Sequence, residues 1–171
     1  MTLPDDIKVF FFKTIKGDIT LDDFEKWLYS DKELEKQLSP DDYLDLISFN
    51  FEQNGAKHQL CELLKKHIDF GEFETYKILE LLKEAQQKNE KLPQVLVELY
   101  DLYCKGYGFL QDIGLKFGLA IAAPEPADYW DELTAKQQKE VLNSFSPELE
   151  KCIEQLIHSL ETKKLTFKNF M

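Results

Sequence analysis

Apolar residues recur along this chain every three or four positions, the spacing that lines one face of an α-helix. Ile7, Phe10, Phe11 and Ile15 make the first such stripe, and Gly17 follows it as a stop signal. Thr20 is then placed as an N-cap, with Asp23 three residues on as in a capping box. Phe24, Trp27 and Leu28 form the inner face of that second helix. Ser30 and Asp31 open a short helix through Leu34 and Leu38. In SPDDYLDLISFNF, Ser39 caps, Pro40 takes the first helical position, and Asp41 and Asp42 sit at the positive end of the helix dipole. Leu44, Ile47 and Phe51 are expected inward, with a break near Gly55. Leu60, Leu63, Leu64 and Ile68 carry the following helix. Gly71 then predicts a turn before Phe73, Ile78, Leu79 and Leu82. QQKNEKLP reads as a polar connector, after which Pro93 opens a helix bearing Val97, Tyr100 and Cys104.

Past residue 119 the pattern loosens. AAPEPAD holds two prolines in three positions and breaks any regular helix. Thr134 and Ser146–Pro147 look like two more starts, the second leading Leu149, Cys152, Ile153, Leu156 and Leu160. The tail KLTFKNF alternates and predicts a short strand or extended arm. The segments IKGDITLDDFEKWL and IDFGEFETYKILEL share a helix, Gly-acid turn, aromatic-helix order, as a weak internal repeat would. The expectation is a single compact all-α domain over residues 1–171, a bundle of about seven to ten helices with a short C-terminal strand.

Charge narrows the partners. Thirty-two acids face twenty-one bases, every base is lysine, and the formal net charge is −11. Residues 1 to 52 hold thirteen acids and six lysines, so −7 lies in the first third. Such a surface repels nucleic acid and anionic membranes, both of which are bound by neutralising phosphates. The absence of arginine also removes the planar fork favoured for phosphate. No secretory pattern opens MTLPDDIK, and FGLAIAAP is too short to span a bilayer, so an intracellular, cytoplasmic protein is expected. Cys61, Cys104 and Cys152, odd in number and without a Cys-x-x-Cys pair, read as three buried thiols in a reducing compartment.

YDLYCKGYGFLQDIGLKFGL, residues 100 to 119, holds four of the seven glycines. A dinucleotide fingerprint from Gly106 and Gly108 would need glycine where Gln111 stands, and a P-loop from Gly108 would need Gly-Lys where Ile113 stands. Gly106 suits a left-handed helix end, and Gly114 and Gly118, four apart, share one helical face that lets another backbone come close. The alternative is a groove for a small ligand or for self-association, lined by Tyr103, Tyr107 and Phe117.

The remaining candidates are thin. His58, Cys61 and Glu62 fall near one helical face with His67 as the nearest fourth ligand, short of a zinc set, so no metal is expected. Glu154 and His158 suit a stabilising pair across one turn. No catalytic signature or cofactor motif occurs, and the chain reads as a non-enzyme without a cofactor. The acids Asp22, Asp23, Glu25, Glu33, Glu35, Asp41 and Asp42 remain, as a candidate surface for a basic protein partner.

GDITLDDFEKWLYSDKELEKQL and LYDLYCKGYGFLQDIGLKFGL, roughly a quarter of the chain, resemble segments of small acidic bacterial proteins of toxin-immunity type. The resemblance implies a compact helical intracellular protein that binds and neutralises a cognate toxin. Such a toxin is often basic, because many attack nucleic acid. It assigns a role to no individual residue.

Overall fold

The computed structural model describes residues 3 to 166. It is all-helical, with ten helices, 71% helical content and no strand among the described residues. The tail expected as a strand, KLTFKNF, falls mostly on residues 167 to 170, outside the described residues. No helix among the described residues is long and apolar enough to cross a membrane. The chain packs as two compact units, Met1–Glu74 and Thr75–Met171, with the division inside one helix.

The first unit holds helices Asp5–Lys16, Leu21–Ser30, Leu34–Gln37, Pro40–Ile47 and Ala56–Lys65, and the start of Phe70–Gln86. Its core gathers Ile7, Phe11, Phe24, Leu28, Leu34, Leu46, Leu60 and Leu64, all nearly or wholly buried. Aromatic rings fill the space between the first two helices, with Phe10 stacked on Trp27 at 4.1 Å between centroids. Gly17 ends the first helix at φ 96°, a left-handed turn that only glycine enters without steric cost. Thr20 accepts the Asp23 amide, as predicted. Its hydroxyl also donates to the Asp23 carboxylate at 2.8 Å, an arrangement other than the reciprocal capping box. Ser39 does the same with Asp42, at 3.1 Å from the amide and 2.6 Å to the carboxylate.

Four local expectations are corrected here. The short third helix starts at Leu34 rather than Asp31, whose carboxylate instead accepts the Glu33 amide in a turn at 2.9 Å. The Pro40–Ile47 helix ends well before Gly55, which stands at φ 76° as the N-cap of Ala56–Lys65. Its inner residue is Leu46, not Leu44; the two lie about 200° apart around a helix and cannot share a face. Gly71 makes no turn but sits in the first turn of Phe70–Gln86, where Asp69 accepts the Glu72 amide at 3.0 Å. Gly17 and Gly71 therefore do different things, and the two similar segments are not equivalent in structure.

The second unit holds the rest of Phe70–Gln86, then Leu92–Cys104, a helical rod over residues 111 to 122, Ala135–Ser144 and Glu148–Glu161. The rod is α-helical at Gln111–Ile113, widens into a π-turn over Gly114–Gly118, and resumes as Leu119–Ala122. Pro93 opens Leu92–Cys104 as predicted, but the inward residues are Val95, Leu96 and Leu99; Cys104 is exposed. Gly106 closes that helix at φ 110°, as expected. Thr134 forms a full capping box with Gln137. Ser146 precedes the last helix without capping its backbone, and donates to Glu150 at 2.5 Å instead.

Candidate protein-binding surface

Two helices of the first unit carry most of the candidate acids. Leu21–Ser30 bears Asp22, Asp23 and Glu25, and Pro40–Ile47 bears Asp41 and Asp42. The short Leu34–Gln37 helix between them adds Glu35, with Glu33 at its N-cap. Seventeen acids and nine lysines fall in Met1–Glu74, a net −8, against −3 for the remaining residues.

These carboxylates have different duties. Asp23 and Asp42 are drawn into caps by Thr20 and Ser39. Asp22 pairs with Lys26 at 2.6 Å and Glu33 with Lys36 at 2.9 Å, both well exposed pairs. The hydrogen bond to Asp22, and then its charge, holds the Lys26 ammonium above its ordinary pKa. Asp42 also lies 3.8 Å from His67 Nε2, which is buried and makes no hydrogen bond among the described residues. Among the described residues Glu25, Glu35 and Asp41 have no side-chain hydrogen bond or ion pair. Glu35 and Asp41 are exposed and Glu25 is half-buried.

The helix pair also exposes apolar surface that the sequence pattern did not single out. Tyr29 is 60% exposed and Leu44 57% exposed. Tyr29 is not loose: its hydroxyl donates to the Ile47 carbonyl at 3.1 Å, at the C-terminal end of the other helix. The Ile47 carbonyl is one of the last-turn acceptors that a helix cannot satisfy internally. Leu44 lies one helical turn before that carbonyl, Glu25 one turn before Tyr29, and Asp41 one turn before Leu44. The result is an aromatic ring held in place, a neighbouring aliphatic side chain, and unpaired carboxylates beside each. A sequence signal for Tyr29 existed: it follows Leu28, a core position, and so must lie about 100° off the inner face.

The other candidates resolve differently. A Cβ on Gly118 would overlap the Leu96 carbonyl oxygen and come within 2.7 Å of Tyr100 Cβ. At Gly114 the nearest atoms would be Tyr103 Cβ at 3.3 Å and Tyr100 Cα at 3.4 Å. The two glycines thus let the rod lie directly on the Leu92–Cys104 helix, the close packing that their spacing predicts. Of the three residues offered as a groove, Phe117 is buried against Phe145, with ring centroids 5.1 Å apart. Tyr103 is half-buried with its Cβ toward Gly114, and Tyr107 half-buried against Phe109 at 6.2 Å.

The three thiols are free, but the expectation of three buried ones is corrected: Cys104 is exposed and Cys61 and Cys152 are half-buried. Burial pushes the Cys61 and Cys152 thiols above the ordinary value. His58 and Glu62 are exposed, and Glu62 turns to Lys65 at 2.7 Å, whose hydrogen bond lowers its pKa. Among the described residues no three His, Cys, Asp or Glu side chains are placed to hold a metal ion. Glu154 and His158 are both exposed and form no ion pair with each other.

No protein-family model, curated protein or solved structure matches the chain.

Proposed function

We infer that the chain is a non-enzymatic protein-binding module. It receives a basic protein partner on the surface formed by Leu21–Ser30 and Pro40–Ile47. The observation that carries this reading is Tyr29, largely exposed yet held by the Ile47 carbonyl. An aromatic ring fixed before binding loses little conformational entropy on association, which is why such rings serve as interface anchors. Leu44 extends the apolar contact, and Glu25, Glu35 and Asp41 supply negative charge without first breaking an internal ion pair. Charge of this kind steers a basic partner and raises the association rate more than the final affinity. The toxin-immunity resemblance supplies the class of partner: a basic intracellular toxin that the chain would occupy and block.

The test is capture from lysate of the encoding cells, using the wild-type chain and a Tyr29→Ala, Leu44→Ser variant in parallel. A protein of basic composition held by the wild type and lost by the variant, with both giving the same circular dichroism spectrum, is the expected result. The same proteins held equally by both chains would remove this surface from the binding site.

A further inference from the structure

A second feature of the Met1–Glu74 unit is a half-open cavity of about 350 Å³ between the end of the first helix, the turn after it and the Ala56–Lys65 helix. Ile19, Leu21 and Leu60 give it an apolar wall. Its volume falls at the lower end of the ~300–1,000 Å³ typical of small-molecule sites.

The polar groups around it are almost all committed elsewhere. The Thr14 hydroxyl donates to the Phe10 carbonyl at 2.8 Å, and Thr20 is occupied by its cap. The Asp22 carboxylate is paired with Lys26 at 2.6 Å, toward solvent. Cys61 contributes a thiol that burial keeps neutral by raising its pKa. Lys57 is the exception: it lines the cavity, its Nζ stands over Gly17, 3.5 Å from where a Cβ would be, and it makes no ion pair or hydrogen bond among the described residues. Asp22 is the other charged side chain of the lining and is paired with Lys26, so among the described residues Lys57 is the lining ammonium left to attract a ligand of opposite charge.

We propose that this cavity binds an amphiphilic carboxylate, its apolar body against Ile19, Leu21 and Leu60 and its carboxylate on the Lys57 ammonium. The unit's net charge of −8 repels anions in general, so such a ligand is held by contact with Lys57 and by apolar burial. That sign makes the proposal easy to separate from non-specific adsorption, which on an acidic protein favours cations.

The experiment is calorimetric titration of the full chain with sodium octanoate and, separately, with octylammonium chloride, which has the same chain and the opposite charge. Octanoate should bind at one site and more tightly than octylammonium. Lys57→Gln, at an exposed position, should weaken octanoate by about tenfold, the scale of one lost charge-assisted contact. Ile19→Trp, filling the cavity from a half-buried position, should abolish binding while the helical circular dichroism signal is retained. Octylammonium binding as well as octanoate, octanoate unaffected by Lys57→Gln, or no octanoate binding at millimolar concentration would each overturn the proposal.

Discussion

Replacing Gly118 with alanine isolates one packing contact from every other effect. Its φ is −65° and that of Gly114 is −66°, both ordinary right-handed helical values, so a side chain meets no backbone strain at either site. Alanine also has the better helix propensity, which contributes about 1 kcal/mol in its favour. Only the surroundings differ. At Gly118 the added methyl would overlap the Leu96 carbonyl oxygen and crowd Tyr100 Cβ at 2.7 Å. Both belong to a regular helix, and a backbone carbonyl cannot rotate away as a side-chain tip can. Overpacking a well-filled interior costs about 1–3 kcal/mol. After the propensity gain, Gly118→Ala should lose up to about 2 kcal/mol. At Gly114 the nearest atoms at 3.3 and 3.4 Å require a shift of only tenths of an ångström, so part of the same gain of about 1 kcal/mol survives and Gly114→Ala should be at least as stable as wild type. Urea unfolding followed by circular dichroism reads the difference directly as a shift in midpoint. Equal midpoints for the two variants, or a more stable Gly118→Ala, would refute the close approach.

Other expectations follow from single contacts. Phe24→Ala empties a wholly buried ring position and should cost about 3–5 kcal/mol in the same urea assay. Thr134→Ala removes a complete capping box, and a loss of about 1 kcal/mol is expected; an unchanged midpoint would show that the box contributes nothing net. In timed alkylation with iodoacetamide near neutral pH, Cys104 should react first because it is exposed. Cys61 and Cys152 should lag, since a raised pKa leaves less thiolate at any given pH; their lag should narrow as pH rises. Mass mapping that finds Cys61 modified first would contradict this order.

Where the chain follows local rules, the sequence was legible to the residue. Thr20, Ser39, Pro40, Pro93 and Thr134 all stand at helix starts, and Gly17 and Gly106 at left-handed ends. Capping and φ preference are settled within a few residues of chain. Gly114 and Gly118 were legible as a pair because their spacing alone puts them on one helical face. Inner faces were harder. Leu44 is expected inward because apolar residues stand at several phases in its helix, and only packing decides that Leu46 is the buried one. Cys104 is exposed for the same reason: its helix buries Val95, Leu96 and Leu99 instead. On the candidate surface, composition gave the acids but not their duties. The place of Asp23 beside its cap is read from spacing, but that Thr20 and Ser39 donate to the Asp23 and Asp42 carboxylates, that Glu25, Glu35 and Asp41 are unpaired among the described residues, and that Tyr29 bonds to Ile47 all depend on side-chain geometry.

The most direct test of a docking surface between these helices is the rate at which a captured, purified partner associates with the chain, followed by stopped flow at low and high salt. Glu25→Gln, Glu35→Gln removes two carboxylates that hold no partner among the described residues, so folding stability should be nearly unchanged. Association should be slower than for wild type at low salt, the two rates should converge at high salt, and dissociation should change little. An association rate equal to wild type, with the same salt dependence, would contradict a role for this acidic surface in binding.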